Sequence, residues 1–139
     1  MSDTPAADGV DYRVSPPVTN DELNPLFAAA WPGHRTHDFA PGLRHCLGWV
    51  CAYAGERLVG FVKLAWDGEQ HAFILDTTVD PAFQRRGIGR ELVERAVAVA
   101  EARGLAWVHV DYEPHLHELY RQCGFRPTMA GLRRLGGER

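Results

Sequence analysis

Lysine is nearly absent: Lys63 is the only one in the 139 residues, and every other basic residue is arginine. Basic residues are also not in excess, with 15 against 18 acidic ones and a net charge of −3. A nucleic-acid-binding domain is usually basic, so that class is disfavoured, although Arg85 and Arg86 could form a local patch. Cysteine is scarce. Cys46, Cys51 and Cys123 are odd in number and form no Cys-x-x-Cys pair, which argues against a disulfide framework and for a reducing, cytoplasmic setting. No apolar run approaches the roughly 20 residues a membrane span needs. The opening MSDTPAADG lacks the basic-then-apolar layout of a signal peptide, so a cytoplasmic protein with no membrane partner is expected.

What is present suits one domain. Met1 to Gly9 read as a small, polar, disordered tail, and residues 10–139 as a single folded unit. DYRVSPPV reads as a first strand stopped by Pro16 and Pro17. TNDELNPLFAAAW reads as a helix with a capping box from Thr19 and Glu22. A start at Asp21 would leave Pro25 in the first turn, where a missing N–H costs little. PGHRTHDFAPGLRHC reads as loop with a short second helix. LGWVCAY, LVGFVKLAW and HAFILDTTV are strands joined by the turns AGER and DGEQ, an antiparallel meander.

IGRELVERAVAVAEARG carries the strongest helical pattern. Ile88, Leu92, Val93, Ala96, Val97 and Ala100 form an apolar stripe, Glu91 and Arg95 an i,i+4 pair on the wet face, and Gly104 a stop. LAWVHVDY then reads as a strand and HLHELYRQC as a short helix ended by Gly124. GFRPTMAGLRRL reads as either a last strand or an irregular end. A helix between two strands implies a parallel crossover, so the fold class is α/β with a mixed sheet: antiparallel through the meander, parallel across the long helix.

Between the meander and that helix lies QRRGIGREL, Gln84 to Leu92. A helix N-terminus leaves backbone N–H groups without partners and carries partial positive charge. Glycines let backbone approach an anion, and arginines add bidentate phosphate contacts. The stretch therefore reads either as a phosphate cradle or as a plain surface turn with solvated arginines. A P-loop needs Gly-Lys-Ser/Thr, but Arg90 and Glu91 follow Gly89. A dinucleotide fingerprint needs a third small residue, and that slot holds Leu92.

TTVDPAFQRRGIGRELVERAVAVAEARG, followed by ELYRQCGF, resembles the GNAT superfamily of acetyl-CoA-dependent N-acetyltransferases. Gln84, Gly87 and Gly89 match its Gln/Arg-x-x-Gly-x-Gly/Ala turn, Val79 and Pro81 the upstream Val-x-Pro, and Leu119, Tyr120, Gly124 and Phe125 the downstream segment. The likeness is specific over roughly Phe73 to Phe125 and otherwise topological. It implies a mostly antiparallel central sheet with one splayed parallel pair and flanking helices. It implies acetyl-CoA as cosubstrate, its pyrophosphate held at Arg85, Arg86, Gly87, Ile88, Gly89 and Arg90, with Ile88 contributing only backbone. Thr77, Thr78 and Val79 would lie beside the thioester, where a backbone N–H could polarise the carbonyl. Tyr120 matches the family's frequent general acid; the plain alternative is a core tyrosine with its hydroxyl on a backbone partner.

The general base is not fixed by the resemblance. Asp76 is the best-placed carboxylate, with a structural role as the alternative, and His109, Asp111 and Glu113 are further candidates. Glu113 replaces an asparagine that many members place seven residues before the tyrosine, which puts that cofactor contact in doubt. The short stretch after Phe125 suggests a truncated C-terminal hairpin, an edge that a homodimer would complete.

No metal is expected. A zinc-protease helix needs His-Glu-x-x-His, and Arg121 fills the second ligand slot; His115 and His117 do not share a helix face. His34, His37 and His45 fall in the acceptor-side region, where Trp31, Phe39, Trp49 and Tyr53 could line a pocket or simply be core. Asp38, Asp76, Asp111 and Glu113 could give it acidic character toward a small-molecule or peptide amine. Two function classes follow: a catalytic N-acetyltransferase, or a non-catalytic acyl-CoA-binding or interaction module on the same fold.

Overall fold

In the computed structural model, which describes residues 4–5 and 9–136, six strands form one sheet in chain order. They are β1 (Thr4–Pro5), β2 (Val10–Val14), β3 (Cys46–Ala54), β4 (Arg57–Trp66), β5 (His71–Val79) and β6 (Trp107–His109). Pairing is antiparallel from β1 through β5 and parallel between β5 and β6, the mixed sheet that the short turns and the long crossover imply. The tail expected over Met1 to Gly9 lies largely outside the described residues; within it, Thr4 and Pro5 pair with Tyr12 and Asp11.

Helix α1 (Asn20–Ala30) begins with the expected capping box: Glu22 N–H donates to Thr19 Oγ1 at 3.2 Å, and Thr19 N–H donates to Glu22 Oε1 at 3.0 Å. Because the helix starts at Asn20, Pro25 lies inside it rather than in its first turn. It faces solvent, so the carbonyl it leaves without an intrahelical donor can bond to water. Leu23, Leu26 and Phe27 turn inward onto Cys51, Tyr53, Leu58 and Phe61, with Phe39 completing that core. The short helix α2 (Ala40–Leu43) packs beside it on β3.

Helix α3 (Ile88–Ala102) covers the opposite face. Its Ile88, Leu92, Ala96 and Ala100 pack on Val50, Ala52, Val62, Leu64, Ala72 and Ile74. Burial of each large aliphatic side chain contributes about 1.5–3 kcal/mol. The approach is close because β4 has a glycine beneath the helix: a Cβ at Gly60 would stand 3.0 Å from Leu92 and 3.1 Å from Ile88. Gly104, at φ 82°, stops the segment as expected. The Glu91–Arg95 pair forms at 2.8 Å, but Arg95 is mostly covered, its guanidinium 4.8 Å over the Tyr12 ring; it lies against β2 rather than on a fully wet face.

The C-terminal third departs most from expectation. The strand expected through Tyr112 ends at His109. The following helix is a 3-10 turn (Pro114–Leu116) running into α4 (His117–Gln122). GFRPTMAGLRRL takes the irregular reading and forms no strand among its described residues, with Met129, Leu132 and Leu135 exposed. No helix among the described residues is long and apolar enough to cross a membrane.

Candidate active site

Strands β5 and β6 pair at only three positions: His71 with Trp107, Ala72 with Val108 and Phe73 with His109. Beyond Phe73 the ladder stops and the strands part, leaving the C-terminal half of β5 without a β6 partner. In that half sits a bulge. Lys63 pairs with Leu75 and Phe61 with Thr78, so β5 carries one more residue than β4. Asp76 takes up the excess at φ 58°, a left-handed conformation that aspartate tolerates better than most residues.

Side chains hold the bulge from both faces. Trp31 Nε1–H, at the end of α1, donates to Thr78 Oγ1 at 2.9 Å, and the Thr78 hydroxyl donates to the Asp76 carbonyl at 2.9 Å. With its side chain buried and engaged on both bonds, Thr78 offers the cleft only backbone. From the α3 face, the Tyr120 hydroxyl of α4 donates to Thr77 Oγ1 at 3.3 Å. Its ring stacks on Tyr112 at 4.7 Å and meets Phe125 edge-on. Burial pushes the Tyr120 phenol above its ordinary pKa, against an opposing effect of the Thr77 bond, so the hydroxyl holds its proton at neutral pH. Its partner is a side chain at the bulge rather than the backbone group of the plain core reading.

The turn into α3 is built on an aspartate that pattern reading did not single out. Asp80, 5% exposed, accepts from Ala82 N–H at 2.9 Å and from Arg57 Nη2 at 2.6 Å, while its own N–H donates to Val59 O at 2.8 Å. These bonds set the 3-10 turn Pro81–Phe83. Its sequence signal was the Asp-Pro pair, a common turn initiator. The chain then passes through left-handed Arg85 (φ 64°) and Gly87 (φ 80°). Gly87 is the N-cap of α3 and makes no side-chain cap bond, so the helix opens with bare N–H groups.

Arg85, Arg86 and Gln84 are exposed around that opening. Arg86 stacks over Phe83 at 4.9 Å, and Gln84 Nε2 reaches Val79 O at 3.5 Å. Arg90 points to α4, donating to Gln122 Oε1 at 3.3 Å. Ile88 is 1% exposed, so only its backbone can face a ligand. A Cβ at Gly89 would lie 3.6 Å from Leu119 and 3.7 Å from Val79, ordinary contact that sheet packing alone would allow. Gln84 to Arg90 and Thr77 to Val79 thus lie at one end of the sheet, with Tyr120 beside them.

On the α1 face, Asp76 makes an ion pair with Lys63, Nζ to Oδ2 3.1 Å. The other base candidates do not join it. His109 sits at the paired end of the strands, 2.8 Å from His71 and stacked on Phe73, while Asp111 and Glu113 are solvent-exposed. Of the four aromatics considered for the acceptor side, Phe39 is core, Trp49 donates to Pro16 O and Tyr53 to Glu22 Oε2. Trp31, 47% exposed, is the one left beside the bulge.

The connection that positions Trp31 depends on two asparagines of α1 that sequence reading passed over. Asn24 Oδ1 accepts from His37 N–H and lies 2.8 Å from His34 Nε2, and its Nδ2 donates to His37 O. Asn20 accepts from Phe39 N–H and donates to Asp38. These bonds fix His34 and His37 in a structural loop. No group of three or more metal-ligating side chains occurs among the described residues.

Residues 17–125 match the family model described as the Acetyltransferase (GNAT) family. A chloroplastic GCN5-related N-acetyltransferase of Arabidopsis thaliana is 32% identical over 124 residues, 87% of this chain and 63% of that one. Serotonin N-acetyltransferase 2 of Oryza sativa is 31% identical over 108 residues, 74% of this chain and 54% of that one. The chain therefore spans little more than half to three-fifths of these relatives. An uncharacterized N-acetyltransferase of Bacillus subtilis is 31% identical over 111 residues, covering 78% of this chain and 70% of its own. Among solved structures, AAC(6')-Iy in complex with a CoA-containing bisubstrate analog superposes with a TM-score of 0.72 at 20% identity, covering 90% of this chain and 96% of that one. A GNAT protein of Streptococcus pneumoniae gives 0.71 at 23% identity, over 90% and 98%. At those identities the structural likeness is one of fold; with the family match spanning α1 through the Gly124–Phe125 stop, the chain belongs to the GNAT acetyltransferase family.

Proposed function

We propose that this chain moves an acetyl group from acetyl-CoA to an amine by direct attack in a ternary complex. The observation that carries the reading is the meeting of three features at one sheet end: the uncapped N-terminus of α3, the parted β5 and β6, and the Tyr120–Thr77 contact at the bulge. Acetyl-CoA would supply an activated thioester. The bare N–H groups of Gly87 to Arg90 and the side chains of Arg85 and Arg86 bind its phosphates. Backbone at Thr77 to Val79, on the strand edge where pairing with β6 has stopped, orients the acyl end. Tyr120 holds a proton for the leaving sulfur, and Asp76 accepts one from the incoming amine.

Thiol release from acetyl-CoA across a panel of small amines and peptides tests the reading. Turnover that depends on the amine supports it; CoA binding with no amine-dependent turnover would make the chain an acyl-CoA-binding module. Tyr120→Phe lowers turnover roughly 100-fold, the low end for a positioned general acid because a thiolate already leaves readily, while acetyl-CoA affinity holds. The edge of β6, unpaired among the described residues, and the exposed Phe73, Leu75 and Trp107 are where a second copy would pair. A dimer in light scattering supports that pairing and a monomer removes it.

A further inference from the structure

Lys63, the only lysine of the chain, has no part in the reaction as written above. It lies on β4 opposite Trp49 and Leu75, on the face covered by α1 and α2. Its side chain is 23% exposed, and Nζ lies 3.1 Å from the Asp76 carboxylate. Helix α2 lies over it, since a Cβ at Gly42 would stand 3.7 Å from Nζ. A freely solvated lysine samples many rotamers and gains little from an ion pair. This one is confined by strand register, by a covering helix and by a carboxylate at the β5 bulge. The next residue, Thr77, receives the Tyr120 hydroxyl from the other side of the sheet. An amine beside a proton acceptor and a phenol able to donate thus bracket the same two bulge residues from opposite faces. That is the order of parts an acyl transfer needs, nucleophile on one side and leaving-group acid on the other.

We propose that Lys63 is a self-acetylation site, its Nζ taking the acetyl group from acetyl-CoA bound in the same chain. The proposal rests on the acetyl-transfer reading above. The ammonium gives one proton to Asp76, which passes it to water. The freed lone pair forms the N–C bond to the thioester carbonyl carbon, and the C–S bond breaks with its electron pair on sulfur. Tyr120 protonates the sulfur and recovers a proton from the nitrogen as the amide forms. The ammonium and the thioester become an amide, a thiol and one released proton. Acetyl-lysine carries no charge, so the product leaves Asp76 without its cation.

Because no other lysine exists in the chain, an acetylated lysine can only be Lys63, and peptide mapping separates it from an acetylated N-terminal amine. The native protein is incubated with acetyl-CoA alone, its modified peptide is located by mass spectrometry, and the amine panel is run in parallel. One acetyl group is expected on Lys63, at a rate independent of protein concentration, slowed by Tyr120→Phe and lost in Lys63→Arg. Mapping the wild-type chain gives the answer even if Lys63→Arg does not fold. Turnover of a panel amine with Lys63 unmodified overturns self-acetylation and leaves the acetyl-transfer reading standing. Equal labelling of Lys63 in urea-unfolded protein overturns it too, as simple chemical acylation. If neither Lys63 nor any amine is acetylated while CoA still binds, the acetyl-transfer reading falls and this proposal falls with it.

Discussion

On the α3 face, Ile88 and Leu92 press directly on the sheet over Gly60, and the N-terminus of the helix is fixed by packing. At the same end of the opposite face, the connection from Trp31 to Phe39 is fixed by hydrogen bonds from Asn20 and Asn24 and by Trp31 on Thr78. The first arrangement tolerates no change of volume; the second tolerates volume but not loss of a polar partner. On the function proposed above, the phosphate cradle would belong to the packed side and the amine approach to the bonded side. The two substrates should therefore respond to different mutations.

The largest break in that contrast is at Gly60. Gly60→Ala forces Leu92, Ile88 and Ala52 apart, costs about 1–3 kcal/mol of stability and weakens acetyl-CoA binding by moving the start of α3. Denaturant unfolding and calorimetric titration measure both effects. Asn24→Ala should do the reverse. It removes the contacts to His34 and His37 at a half-buried site, costs about 1 kcal/mol, raises the acceptor KM and leaves acetyl-CoA affinity unchanged. A variant that alters both affinities alike would erase the distinction.

A smaller effect sharpens the packed side. Burial disfavours the Tyr120 phenolate, so the folded-state pKa lies above the roughly 10 of a free tyrosine. The protonated hydroxyl is fully present below that value and is lost only as pH rises past the raised one. Turnover should show no tyrosine-dependent decline up to about pH 10, measured as the difference between wild type and Tyr120→Phe. A decline near neutrality that the phenylalanine variant lacks would contradict the buried setting of the hydroxyl.

Much of the packed side was legible because its signals are local. The stripe from Ile88 to Ala100 repeats within one helix, the glycine turn directly precedes it, and the meander turns lie between clear strands. The bonded side depends on pairs distant in sequence. Trp31 to Thr78, Lys63 to Asp76 and Arg57 to Asp80 have no spacing rule, and a bulge that turns Asp76 left-handed cannot be read from HAFILDTTV. Aromatics that patterning left undecided, such as Trp49 and Tyr53, were settled only by their partners, Pro16 and Glu22. The C-terminal segment has apolar residues at Leu132 and Leu135, but a strand needs a neighbour, and none is paired with it among the described residues.

The central claim is that the turn at the head of α3 holds the phosphates of acetyl-CoA. Calorimetric titration of acetyl-CoA into the wild type and into Arg85→Ala/Arg86→Ala tests it most directly. Both side chains are exposed, so thermal stability should fall only by the lost stacking of Arg86 on Phe83, about 0.5–1 kcal/mol. Loss of even one charge-assisted contact, about 1.5 kcal/mol or more, should weaken binding roughly tenfold or further, with a shallower dependence on salt. Equal affinity for the two proteins, with equal salt dependence, would contradict the claim.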